Sequence, residues 1–272
     1  MRRLHLFEIE DQSWCPAIVR DLATDYLHFI QTAVSLHRTI TPLIREALGA
    51  TGTTRIVDLC SGGSGPLPTV IADLRQSGLT ATATLTDLFP NTAAFERVAN
   101  ESGGVIDYVR TPVDARAVPR ELTGLRTLFN GFHHFKPDDA RAILLDAANA
   151  GQPIAIFEAS RRTLRTILPV LLMPLFVWVF TPFMRPFLWK RLLFTYPLPC
   201  VPMICLWDGF ISQLRAYTPD ELRALGAPAG DKMHWRAGYT PLIGAPGLLT
   251  YLIGWPSQNA VAGGGERPKQ VR

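Results

Sequence analysis

Three observations predict an α/β fold in which strands and helices alternate around one sheet. The first is the stretch Arg55-Ile56-Val57-Asp58-Leu59-Cys60-Ser61-Gly62-Gly63-Ser64-Gly65-Pro66, an apolar run closed by an acid, then a glycine loop, then a proline that opens a helix. Glycine lets the backbone turn sharply with no Cβ between chain and ligand, and proline in the first helical turn gives up no hydrogen bond. The second is that later apolar runs close in Asp87, in Asn130-Gly131 and in Glu158. In an open parallel sheet such ends meet along the carboxyl edge, where ligands bind. The third is a long apolar stretch, broken by prolines, that interrupts the alternation late in the chain.

The 272 residues suffice for one large α/β domain with an insertion. A net charge of +4 is too small to suggest nucleic acid, and no arginine–aromatic array is present. Cys15, Cys60, Cys200 and Cys205 form no CxxC or zinc spacing, which fits a reduced, cytoplasmic compartment. The first residues also lack the apolar core and cleavage site of a signal peptide.

Residues 1–50 read as a helical segment. Ile18, Leu22, Tyr26, Phe29, Ile30 and Val34 recur at helical spacing, and Thr41-Pro42 reads as the N-cap and first position of a second helix that Gly49 ends. The stripe packs on the core, or Glu8, Glu10 and Asp11 with Trp14 touch a ligand; Trp14 is carried as a candidate substrate-binding residue.

The cofactor-type core is expected over 51–166. After the glycine loop, Ala81–Asp87 is the second strand. Asp87 follows the last loop glycine by about twenty residues, the distance at which an acid reaches ribose hydroxyls, and it also suits a helix N-cap. Val105–Val109 is the third strand, leading to Asp114-Ala115. The fourth runs Leu125–Phe135 through Asn130-Gly131 and His133-His134, a helix opens at Lys136-Pro137, and the fifth strand, Gln152–Glu158, closes in a carboxylate. No third ligand lies near the paired histidines in sequence, so no metal is expected.

Residues 167–207 form the insertion. Ile167–Phe183 is apolar but holds Pro169, Pro174 and Pro182; Leu192–Trp207 holds Pro197, Pro199 and Pro202; Arg185, Trp189, Lys190 and Arg191 lie between. Each run is near or below the roughly 20 residues a bilayer span needs. Shallow insertion or a lipid-binding cap is preferred to crossing, against the alternatives of core packing or a subunit interface. The core resumes over 208–256. Thr218 with Glu221 makes a capping box with Pro219 behind it, and Met233–Thr240 and Leu249–Trp255 supply the last two strands. Residues 257–272, rich in glycine and charge, read as a disordered tail.

The glycine loop resembles motif I of the class I S-adenosylmethionine-dependent methyltransferases, where an acid closes the first strand and a loop of the form acid-x-x-x-G-x-G lies under the methionine half of the cofactor. Asp58, Gly62 and the glycines after it carry the likeness. The resemblance implies a Rossmann-like seven-stranded sheet whose last strand is antiparallel, with the helical segment of residues 1–50 as a lid over the substrate. It implies that Asp58 orients the loop and the amino group, and that Ser61, Gly62, Gly63 and Gly65 approach the methionine and ribose. Asp87 with Leu88 would hold the ribose and Asp114 with Ala115 the adenine, the latter against an ordinary loop aspartate. Asn130 and Gly131 would line the sulfonium side. His133 and His134 are the catalytic candidates, as pocket-shaping groups or a general base, and Glu158 joins Trp14 as a substrate candidate.

The expected activity is methyl transfer from S-adenosylmethionine to an apolar or lipid-like small molecule, in the cytoplasm or at the inner face of the membrane. The competing readings are a nicotinamide-dependent oxidoreductase and a membrane-associated scaffold with a degenerate cofactor site. The first needs G-x-G-x-x-G spacing and a parallel sixth strand.

Overall fold

The computed structural model describes residues 1–257; the expected tail lies outside them except for Ser257, which is buried and donates its N–H to the Lys232 carbonyl at 2.9 Å. Its seven strands form one sheet in the order β3-β2-β1-β4-β5-β7-β6. These are β1 (Arg55–Asp58), β2 (Thr82–Leu85), β3 (Ile106–Tyr108), β4 (Leu125–Phe129), β5 (Ile154–Glu158), β6 (Met233–Pro241) and β7 (Leu248–Pro256). β1 to β5 pair in parallel, with Ile56 beside both Ala83 and Leu125. β7 runs antiparallel to β5 and to β6, so the expected last-strand reversal is present and the sheet is not the all-parallel dinucleotide type.

The central strands are almost wholly buried: every residue of β5 and the first four of β4 are inside. Ile154–Phe157 of β5 is the continuous apolar run that a sheet covered on both faces favours, whereas β4 buries Arg126 and Thr127, which pair with Asp146 at 2.6 Å and Asp58 at 2.7 Å. One layer places Leu128, Phe132, Ile143, Leu144, Leu222 and Leu252 together. The other places Ile40, Ile44, Leu67, Leu74, Phe95 and Phe157 together. The helices in chain order are α1 (Ala17–Ala33), α2 (Leu36–Thr51), α3 (Leu67–Gln76), α4 (Thr92–Glu101), α5 (Pro137–Asn149), α6 (Leu164–Leu171), α7 (Met173–Phe180), α8 (Trp189–Thr195), α9 (Cys200–Arg215) and α10 (Pro219–Gly226); α1 packs with α7 and α9 in a cluster of its own beside the sheet layers.

Two local expectations are corrected. Thr41-Pro42 does not start α2: the helix begins at Leu36 and Pro42 lies inside it, with Gly52 in the left-handed region at its end. Proline in a helix interior removes one ladder bond, but the Thr41 hydroxyl donates to the His37 carbonyl at 2.8 Å on that turn, and the buried stripe Ile40, Ile44, Leu48 holds the helix. The fourth strand stops at Phe129 rather than Phe135, because Asn130 takes φ 51° and Phe132–His134 form a 3₁₀ turn. The capping box at Thr218 and Glu221 is present, with Pro219 at the first position of α10.

The apolar insertion folds as α6 to α9 rather than as two runs, and α9 continues through the boundary expected at 207 to Arg215. Among the described residues no single helix is long and apolar enough to cross a membrane; the pairs α6–α7 and α8–α9 have the composition but bend by 47° and 68°.

Candidate active site

A cleft of about 1330 Å³ opens at the carboxyl edge of the sheet and brings together Ser61, Gly62, Gly63, Gly65, Asp87, Asn130, Gly131 and His134. Its far wall is α1, through Arg20, Asp21, Thr24, Leu27, His28 and Gln31. A lid from residues 1–50 is what the resemblance implies; the particular residues of α1 that form this wall lie opposite the apolar stripe that marks the helix in the sequence.

The loop geometry explains the glycines. Gly62 and Gly65 both sit at φ 50°, a region that side chains avoid. A Cβ on Gly62 would meet nothing within 4 Å, so the loop surface there is open to the cleft. Cys60 (φ 56°) and Ser64 (φ 82°) hold the same left-handed backbone with side chains attached. Ser61 is fixed beneath the loop: its N–H donates to Thr86 at 3.0 Å and its hydroxyl donates to the Asp58 carbonyl at 3.0 Å.

Asp87 braces the loop. One carboxylate oxygen accepts the Gly62 N–H at 2.9 Å and the other accepts the Phe89 N–H at 2.8 Å. The half-buried carboxylate stands at the cleft rim with acceptor capacity to spare. Leu88 beside it is exposed and does not line the cleft; the more exposed Phe89 does.

Asp58 lies under the loop, 1% exposed, and accepts the Thr127 hydroxyl at 2.7 Å. Burial pushes its carboxyl up to about 7, against hydrogen bonds that favour the charge. Its part is support from below, not contact through the cleft wall. Asn130 lies on the wall, and its side-chain oxygen accepts the Ala159 N–H at 2.7 Å, tying β4 to the end of β5. Asparagine tolerates the left-handed conformation this turn demands.

Besides Asp58 and Leu88, four further candidates stand away from the cleft wall. Asp114 is held by Arg116 at 2.7 Å, which also grips Asp139 at 2.8 Å, and Ala115 is buried. Trp14 is 64% exposed on the outer surface. Glu158, 2% exposed, accepts the Phe132 N–H at 2.6 Å and the His133 ring at 2.6 Å, so it fixes the 3₁₀ turn.

The paired histidines therefore differ. His133 is buried between Glu158 and Glu8, whereas His134 reaches the cleft. The His134 Nδ1 lies 3.0 Å from both Glu8 and Asp11. Burial would lower its pKa, but the Asp11 hydrogen bond and the charges of Glu8, Asp11 and Glu10 outweigh that and push it up to about 9. At neutral pH His134 is a cation. Arg215 completes the cluster, 2.9 Å from Asp11 and 3.2 Å from the fully buried Glu8. Asp208 anchors the strand of chain carrying these acids by accepting the N–H groups of Ile9 and Glu10 at 2.6 and 3.0 Å. Arg215 escaped the sequence reading; a lone cation ending the apolar run Cys200–Leu214 was the available signal.

Glu8, His133 and His134 place ligand-type atoms within 4.8 Å of one another. Glu8 thus supplies, from a distant part of the chain, the third ligand-type group that the sequence around the histidines lacks, and it also lies 3.2 Å from Arg215.

This arrangement, glycine loop, strand-end acid and reversed β7 around one cleft, is the class I S-adenosylmethionine-dependent methyltransferase fold. No protein-family model matches the chain, and no curated protein matches it in sequence. Among solved structures, human N-acetylserotonin methyltransferase bound to S-adenosylmethionine is similar at 12% identity and TM-score 0.51, over 88% of this chain and 56% of that one. An O-methyltransferase family protein from Burkholderia thailandensis is similar at 18% identity and TM-score 0.46, over 88% and 62%. An O-methyltransferase from neocarzinostatin biosynthesis, solved with S-adenosylmethionine and 2-hydroxy-5-methyl naphthoic acid, is similar at 15% identity and TM-score 0.46, over 85% and 61%. The chain thus spans about three-fifths of the length of these structures.

Proposed function

We propose that this chain is an S-adenosylmethionine-dependent methyltransferase acting on an apolar small molecule, in the cytoplasm at the inner face of a membrane. The observation that carries the reading is the single cleft in which Asp87, the 61–65 loop and Asn130-Gly131 meet beneath α1. The residues fit the cofactor: an open glycine surface, a rim carboxylate with free lone pairs, and a half-buried wall at Asn130. Asp87 would hold the ribose hydroxyls, the loop glycines would admit the methionine half, and Asn130-Gly131 would line the sulfonium side. When bound, S-adenosylmethionine supplies an electrophilic methyl group.

The chain's own contribution is positioning. Alignment of two reactants supplies most of what a displacement of this kind needs. α1 covers the loop, with Thr24 Cγ2 3.5 Å from where a Gly63 side chain would begin, and so narrows the acceptor's approach. His134 is a cation at neutral pH, so it offers a hydrogen bond to an acceptor oxygen that binds already deprotonated, rather than serving as the base that takes the acceptor's proton. The aromatic and aliphatic residues of α6–α9 support an apolar acceptor and membrane contact.

Thermal-shift titration tests this. Stabilisation by S-adenosylhomocysteine and not by NAD supports the reading. Stabilisation by NAD alone favours the oxidoreductase, and by neither the scaffold. A labelled-methyl screen of lipid extracts against polar metabolites then identifies the acceptor class.

A further inference from the structure

Helices α6–α9 present a broad exposed face of large apolar side chains, among them Leu164, Leu168, Leu175, Phe183 and Trp189 at 53–76% exposure. Between Glu158 and Asp208 the chain holds no acid and six cations: Arg161, Arg162, Arg165, Arg185, Lys190 and Arg191. Three are engaged internally. Arg162 pairs with Glu221, Arg191 with Asp25 at 2.8 Å, and Arg161 stacks over the Tyr239 ring. Arg165, Arg185 and Lys190 remain exposed, with no acid partner among the described residues.

Those three cations flank the apolar face. Arg165 follows Leu164, Arg185 lies between Phe183 and Phe187, and Lys190 follows Trp189. Trp189, Lys190, Leu192, Leu193, Tyr196 and Pro197 also enclose a shallow, almost wholly apolar cavity of about 560 Å³ with the lysine as its only charge. An apolar hollow with one cation matches an acyl chain beneath an anionic headgroup. Water-exposed leucine, phenylalanine and tryptophan interleaved with lysine and arginine is the composition of a face that lies in the headgroup region. A second copy of the chain would bring the same unpaired cations against themselves.

The face is joined to the cleft by one helix. On one side of α1, Val19, Leu22, Ala23 and Tyr26 pack with Val177, Met184, Val201, Ile204 and Cys205 of the insertion. On the other side Arg20, Thr24, Leu27, His28 and Gln31 line the cleft. Asp25 ties α1 to α8 through Arg191. We infer that α6–α9 seat the protein on an anionic bilayer and that α1 carries that contact to the cofactor cleft. This rests on the methyltransferase reading only for what the cleft binds.

The test uses the full chain in three measurements. The first is flotation with neutral phosphatidylcholine vesicles and with vesicles containing phosphatidylglycerol. Binding to the anionic vesicles only is expected, with a loss of about a hundredfold for Arg165→Gln/Arg185→Gln/Lys190→Gln together, at about fivefold per cation. Leu168→Asp/Trp189→Asp should abolish flotation with unchanged circular dichroism and melting temperature, since both side chains are exposed. No flotation, equal binding to both vesicle types, or a lipid-free dimer that neither variant disturbs overturns the docking. The second is S-adenosylhomocysteine affinity without lipid, whose absence would sink the methyltransferase reading and leave the docking standing. The third is that affinity with anionic vesicles present: a shift of threefold or more is expected, and an unchanged value overturns the coupling through α1.

Discussion

Replacing Asp87 by alanine removes two things at once. The carboxylate now accepts the Gly62 N–H at 2.9 Å and the Phe89 N–H at 2.8 Å, so it sets the loop before any ligand arrives. The same oxygens face the cleft rim, where ribose hydroxyls would donate to them. A hydrogen bond to a charged group contributes about 1.5–3 kcal/mol when buried, and Asp87 is only half-buried. The expected loss of affinity for S-adenosylhomocysteine is therefore about 1–3 kcal/mol, or about 5- to 150-fold in Kd at 1.4 kcal/mol per decade. Isothermal calorimetry measures it directly. Asp87→Asn separates the two parts in degree, because its amide oxygen still accepts one of the two backbone N–H groups; that variant should lower the melting temperature less than alanine does and still bind more weakly. Wild-type affinity in Asp87→Ala would refute the assignment of the ribose site, and with it the placement of the cofactor along this edge.

Other outcomes are equally specific. Gly63→Ala should be nearly neutral, since its Cβ would sit at an ordinary 3.5 Å from Thr24. Gly63→Val should push α1 aside and weaken S-adenosylhomocysteine binding by about tenfold, the lower end of an overpacking cost of about 1–3 kcal/mol; equal affinities for the two variants would mean that the loop and α1 do not meet in solution. Gly124→Ala should destabilise the fold by about 3 kcal/mol in urea unfolding, because φ is +137° and the new Cβ would lie 2.4 Å from the Arg55 carbonyl oxygen. His134 has a folded pKa raised to about 9, so its contribution to stability is complete below its unfolded value near 6.5 and is lost as pH rises through about 9. Melting temperatures across that window should fall for the wild type and stay flatter for His134→Gln. Asp58 behaves in the opposite sense for an acid: its carboxyl is raised to about 7, so the unfolded chain ionises first and stability falls as pH climbs from about 4 to about 7. Asp58→Asn should remove that slope, and an unaltered slope would show that Asp58 is charged when folded.

The sheet was legible because each strand of the core announces its end chemically. Asp58, Asp87, Asn130 and Glu158 close β1, β2, β4 and β5 within two residues of their observed limits. A parallel strand buried on both faces is mostly apolar, so an acid or amide that closes such a run marks the edge; Arg126 and Thr127 inside β4 are the exceptions, each buried with an acid partner. The capping box at Thr218 was legible for the same local reason. The start of α2 was not: Thr41-Pro42 carries a helix-start signal, and the packing of Ile40, Ile44 and Leu48 overrides it. The charge cluster around His134 was beyond local reading, since Glu8 and Arg215 meet across more than two hundred positions. Asp114 shows the converse, a correctly spaced acid whose carboxylate the neighbouring Arg116 has already engaged.

The path of the first residues has a consequence for synthesis on the ribosome. Arg3 donates to the carbonyls of His133, Phe135 and Arg215, and the Leu4 N–H donates to Leu214. The opening segment is made first yet finds its seat only after α9 has emerged, so a nascent chain halted before residue 215 holds Glu8 without the arginine that compensates it. Fragments that stop ahead of Arg215 should therefore lack the settled wall that Glu10, Asp11 and His134 give the cleft.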